Sequence, residues 1–92
     1  MAKLYVPTIM RKHVDGLGAV ELPGASVSEI FSQFVSHHPA VEQSLRDAAG
    51  NLHRHINVFV NGQDIRQLDG EATTVSDWDE VHVIPAMAGG AR

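Results

Sequence analysis

The 92-residue chain contains no cysteine. That absence excludes a disulfide framework, thiolate metal sites, iron–sulfur ligation and any cysteine nucleophile supplied by the chain itself. Basic residues are scarce, seven Lys and Arg against eleven Asp and Glu, and the formal charge of -4 is not the footprint of a nucleic-acid binder. Apolar runs are short. None approaches the roughly 20 residues of a membrane helix, and the first residues lack a signal-peptide core. Motifs of catalysis are missing too: there is no Gly-x-Ser-x-Gly elbow and no glycine loop placed after a strand to cradle phosphate. The expectation is a soluble, cytoplasmic protein that is not an enzyme and engages neither nucleic acid nor membrane.

What is present fits one small domain. A fold of this length buries about 60–65% of the surface its unfolded chain exposes, enough for a single modest core and too little for two lobes around a cleft. Six histidines would take the charge from -4 to +2 if all were protonated, so electrostatic behaviour should change between about pH 5 and 7.

Lys3 to Met10 alternates Leu4, Val6 and Met10 with mixed partners and reads as a first strand, in which Pro7 weakens regular pairing. Asp15-Gly16 and Gly18 supply a turn, and Ala19-Val20-Glu21-Leu22 returns as a second strand. Ser26-Val27-Ser28-Glu29 fits a capping box opening a helix, with Ser26 bonding an orphan amide and Glu29 reaching back to the cap. Val27, Ile30, Phe31, Phe34 and Val35 then form one apolar stripe. Pro39 ends the helix, and Val41 to Ala49 reads as a second, weaker helical piece closed by Gly50-Asn51. His55 to Val60 is a strand, Asn61-Gly62 is a strong hairpin signal, and Gln63 to Arg66 returns as a short strand. Residues 67–74 form a polar connection, Glu80 to Pro85 a last strand with Val81 and Val83 inward. The pattern predicts an α+β roll: a mixed sheet of four or five strands covered by one main helix. The domain spans residues 1–86, and 87–92 form a flexible tail containing Gly89-Gly90.

Few residues invite chemistry. Ser26 and Ser28 are accounted for as cap residues. His53 and His55, two apart, could share one strand face as metal ligands, but no third ligand stands near them and no metal site is expected. His37 and His38 point about 100° apart on a helix and do not converge. Trp78 is expected to pack at a strand entry. Two features remain. Glycine lets a backbone lie flat in a narrow channel, so Gly89 and Gly90 could enter another protein's active site, although a glycine pair near a terminus is ordinarily a loose end. If Val58, Val60, Val81 and Val83 point inward, then Phe59, His82 and Ile84 point out, and side-by-side strands would gather them into a docking surface.

From Val6-Pro7-Thr8-Ile9-Met10-Arg11 through Ile56-Asn57-Val58-Phe59-Val60-Asn61-Gly62 and Asp79-Glu80-Val81-His82-Val83-Ile84-Pro85-Ala86 to Gly89-Gly90, the chain resembles the ubiquitin-like sulfur-carrier family. The Pro-Thr-Ile segment and Leu52-His53-Arg54-His55-Ile56-Asn57-Val58 are most similar to the carriers of cysteine biosynthesis. The resemblance implies a β-grasp fold with a parallel first and last strand, and a carrier cycle at Gly90. An E1-like partner using ATP and Mg²⁺ adenylates the Gly90 carboxylate, sulfur displaces AMP to leave a thiocarboxylate, and a sulfur-accepting synthase consumes it. A zinc metallopeptidase then releases the product. No cofactor is held by the carrier itself.

Ala91-Arg92 depart from that pattern, because Gly90 has no free carboxylate until they are removed. The implied processing point is the Gly90–Ala91 bond, unless the two residues are a cloning remnant or the protein is never activated. Two other readings stay open: a ubiquitin-like modifier joined to lysine through Gly90, and a small enzyme or metal-binding domain using His53 and His55.

Overall fold

The computed structural model describes residues 1–85. The tail, with Gly89, Gly90 and Ala91, lies outside the described residues, as does the final residue of the expected 1–86 domain. Strand β1 (Ala2–Tyr5) buries Ala2 and Leu4 and turns Lys3 to solvent. It stops at Tyr5, short of the expected Met10. Pro7 has no N–H to give a ladder, and a 3-10 helix over Thr8–His13 replaces the strand, burying Met10. β2 (Ala19–Leu22) returns antiparallel with Leu4 opposite Val20. Residues 6–18 separate the two strands, a wider link than a tight hairpin.

Helix α1 (Val27–His37) begins where the sequence places it. Ser26 Oγ accepts the Glu29 N–H at 3.2 Å, and Glu29 Oε1 accepts the Ala25 N–H at 2.9 Å. The box therefore closes one residue before the cap. Val27, Ile30, Phe31 and Phe34 are buried and Val35 packs partly against the same core. Pro39 opens a 3-10 turn to Val41, and α2 (Glu42–Leu45) follows, burying Leu45. The helical piece expected to reach Ala49 ends at Leu45 because the Asp47 carboxylate captures the N–H groups of Ala49 and Asn51 and holds a loop instead.

Strand β3 (Ile56–Val60) turns through Asn61 (φ 50°) and Gly62 (φ 88°) into β4 (Gln63–Asp64). Both turn residues have the positive φ of a type I′ turn, which matches the twist of the flanking strands. Two 3-10 turns, Ile65–Gln67 and Gly70–Ala72, fill the polar connection, and β5 (Glu80–Pro85) completes a sheet of order β2-β1-β5-β3-β4. At its centre β1 runs parallel to β5, with Leu4 beside Val81 and Tyr5 beside His82, while β3 runs antiparallel to β5. This is the β-grasp roll. Phe31 and Phe34 of α1 share one core with Leu4, Val58 and Val81 on one face of the sheet. Among the described residues no helix is long and apolar enough to cross a membrane.

Phe31→Ala is expected to lower the unfolding free energy by about 3–5 kcal/mol and Ser26→Ala by about 1 kcal/mol. Equilibrium urea denaturation checks both. A Phe31→Ala loss close to zero would mean that the helix does not carry the core.

Candidate functional site

The face of the sheet away from α1 is built rung by rung. One rung crosses all five strands: Ala19, Tyr5, His82, Phe59 and Asp64 stand in register. Phe59 and His82 are directly opposed, and the Tyr5 ring stacks on His82 with centroids 4.3 Å apart and planes 17° from parallel. Lys3 Nζ lies 5.2 Å from the Tyr5 ring centre, and Glu80 reaches both Tyr5 Oη at 3.4 Å and His82 Nε2 at 3.6 Å. The next outward residue of β5, Ile84, stands opposite Asn57 and is 47% exposed. Phe59, His82 and Ile84 are thus brought together as the strand alternation requires, and Tyr5 joins them. Period-two alternation already turns Tyr5 outward from Leu4; its contact with His82 needed the parallel register.

Polar contacts hold side chains beside this strip and in the loops. The Arg66 guanidinium donates to Asp64 Oδ2 at 2.7 Å and to Asn57 Oδ1 at 2.8 Å, and it holds the Asp64 carboxyl below the ordinary carboxylate range. Arg46 grips Glu71 with two hydrogen bonds, 2.7 and 3.2 Å, and its pKa is raised by that carboxylate. Their fork geometry suits a carboxylate, and it ties the loop after α2 to the turn at Gly70–Ala72.

The strip leads to the root of the tail. Pro85 pairs with Ile56, so the chain leaves the sheet beside Arg54 and His55. Because β1 and β5 are parallel, Arg11, Lys12 and His13 follow β1 at that same end. The opposite end carries Glu21, Asp77, Asp79 and Glu80. Basic residues therefore gather at the tail root, and the far end carries these four carboxylates together with Lys3 and the N-terminal amine.

Two expectations are corrected. Trp78 does not pack at the strand entry; it is 91% exposed, because among the described residues no element covers that end of the sheet. His53 and His55 do not share a strand face, since both precede β3 in a turn closed by the Ile56 N–H on the His53 carbonyl at 3.0 Å. His53 Nε2 lies 2.9 Å from the Gln43 carbonyl, which fixes its ring. His37 Nδ1 lies 2.9 Å from the Gln33 carbonyl, while His38 meets the edge of Phe34. Among the described residues there is no group of three or more His, Asp or Glu that could hold a metal ion. Gly89, Gly90 and Ala91 lie outside the described residues.

Residues 9–90 match the sequence model of the ThiS family. Over 87 residues the chain is 36% identical to sulfur carrier protein CysO of Mycobacterium tuberculosis, covering 92% of this chain and 94% of that protein. It superposes with a TM-score of 0.89 on a chain in the crystal structure of the Amycolatopsis orientalis BexX/CysO complex, at 39% identity and covering 98% and 100% of the two chains. Small archaeal modifier protein 1 of Haloferax volcanii is 36% identical over 90 residues, 98% of this chain and 91% of that one.

Asp79 closes the turn into β5: it accepts the Ser76 N–H at 2.9 Å and Asn61 Nδ2 at 2.8 Å, which together hold its carboxyl below the usual range. A carboxylate favoured in the folded state stabilises fully above its unfolded pKa of about 3.9, and that contribution is lost as pH falls through the lower folded value. Asp79→Asn is therefore expected to be less stable than the parent at neutral pH, with the gap closing in acid. Thermal unfolding across pH measures it; a gap independent of pH would contradict the assignment.

Proposed function

The chain belongs to the ThiS family, and from that membership we propose that it works as a sulfur carrier of the CysO type, loaded at Gly90. The observation that carries this reading is the position of β5. The central strand of the sheet ends at Pro85, five residues before Gly90, directly beyond the strip of Tyr5, His82, Phe59 and Ile84. A partner that seats itself on the strip stands next to the segment it has to act on.

The chemistry begins when Ala91-Arg92 are cut away at the Gly90–Ala91 bond by a zinc metallopeptidase, which frees the Gly90 carboxylate. An E1-like adenylyltransferase and sulfurtransferase then brings ATP and Mg²⁺. One carboxylate oxygen attacks the α-phosphorus, pyrophosphate leaves, and the acyl adenylate forms. Sulfide sulfur attacks the acyl carbon, AMP departs with the former carboxylate oxygen, and a thiocarboxylate remains. A cysteine-synthase-like partner presents an activated amino-acid acceptor to this sulfur. The carrier supplies no catalytic group. Its own contributions are a backbone without Cβ atoms at Gly89 and Gly90, so that the tail passes through a narrow channel, and an apolar strip that docks each partner. The BexX/CysO complex supports docking of this kind, because a protein similar to this chain is there bound to another protein.

A second reading is favoured by the similarity to small archaeal modifier protein 1. There the activated Gly90 would pass to a lysine amine, and isopeptide adducts without any thiocarboxylate would select it.

ATP–pyrophosphate exchange with the host's adenylating enzyme tests the leading account. The chain ending at Gly90 is expected to support exchange and the chain ending at Arg92 is not. Ile84→Asp, on the exposed strip, should raise KM at least about 10-fold with little change in kcat, equivalent to ~1.4 kcal/mol of lost docking energy. Equal exchange by both chain lengths would contradict the processing step.

A further inference from the structure

The proposed carrier cycle assigns no role to Trp78 and its surroundings. The side chain is 91% exposed in the turn before β5, although an indole gains more from burial than almost any other side chain. Beside it lie Glu21, Asp77, Asp79 and Glu80, with Lys3 and the N-terminus as the nearby cations. Asp77 meets the N-terminal amine at 3.4 Å and remains 77% exposed.

A hollow of about 290 Å³ lies elsewhere, beside the outer edge of β3. Short β4 covers only Phe59 and Val60, so among the described residues the edge from Ile56 to Val58 has no strand beside it. Leu52, Ile56, Val58 and Ile65 give the hollow an apolar lining. Of the charges on its rim, Asp64 is paired with Arg66 and Glu71 with Arg46. Arg54 is exposed and has no hydrogen-bond or ion-pair partner among the described residues. The volume lies at the lower end of the ~300–1,000 Å³ range of small-molecule sites, a size at which one large side chain also fits.

The two features complement each other in polarity and charge, and they sit on different surfaces of one molecule. We propose that the hollow receives Trp78 of a second copy of this chain, with Asp77 of the incoming turn facing Arg54. An apolar anchor flanked by carboxylates meets an apolar socket edged by a cation. Because anchor and socket are different patches, the contact is heterologous and joins copies head to tail. One turn in one hollow buries far less than the ~1,200 Å² of a stable complex, so the association is weak and depends on concentration. The seated copy stands next to Ile56, the partner of Pro85 at the tail root.

Sedimentation equilibrium of the full chain, with emission from its single Trp followed over the same series, tests the proposal. From about 10 μM to about 1 mM, the range that brackets weak contacts, the weight-average mass should climb above the monomer mass and the emission should shift to shorter wavelength. Trp78→Ala should remain monomeric throughout while keeping its thermal midpoint, since the exposed indole contributes little to the fold. Arg54→Glu should weaken association at least about threefold, because it sets a like charge against Asp77. Monomer mass with unshifted emission at every concentration overturns the proposal and leaves Trp78 to a different protein. Association that survives Trp78→Ala overturns it as well.

Discussion

The stripe of Val27, Ile30, Phe31 and Phe34 packs on one face of the sheet, and among the described residues no second long helix covers the other. Apolar burial is therefore one-sided. The opposite face has to meet water, and it does so with residues that are apolar in body and polar at the tip: Tyr5, His82 and the stem of Lys3 alongside Phe59 and Ile84. Such a strip is tolerable in solution and favourable to cover. The same packing that stabilises the fold thus leaves a partly apolar, solvent-facing surface on its reverse.

The parallel pairing of β1 and β5 determines where that surface points. It draws the last strand into the middle of the sheet and lets the chain leave beside Ile56, between the basic segment after β1 and the Arg54 turn. Polar contacts finish the frame: Asn61 to Asp79 joins the β3 turn to the entry of β5, and Arg46 to Glu71 joins the α2 loop to the turns before it. The acidic end of the sheet, remote from the tail, is free for a different contact.

Elements governed by local rules were legible in the amino-acid order. The Ser26 cap, the α1 stripe, the Asn61-Gly62 turn and the alternation of β5 each depend on neighbours a few residues away. What was missed depends on distant partners. A parallel pair leaves no local periodicity, so β1 beside β5 came from family resemblance, and with it the meeting of Tyr5 and His82. The 3-10 helix after Pro7 keeps Met10 buried just as a strand would, which is why alternation could not distinguish them. The chemistry of Trp78 favours burial, yet nothing in the sequence could reveal that no described element covers it. Asp47 ended the second helix through its side chain, against an apolar spacing that suggested continuation.

The account rests on a tail that is shortened and then loaded by other proteins. Intact-mass spectrometry of the carrier taken from its native host examines this most directly. The account predicts a species that lacks Ala91 and Arg92, accompanied by one heavier by the exchange of oxygen for sulfur. A population consisting only of the full chain, with Arg92 in place and no sulfur gained under conditions of active sulfur metabolism, would contradict it.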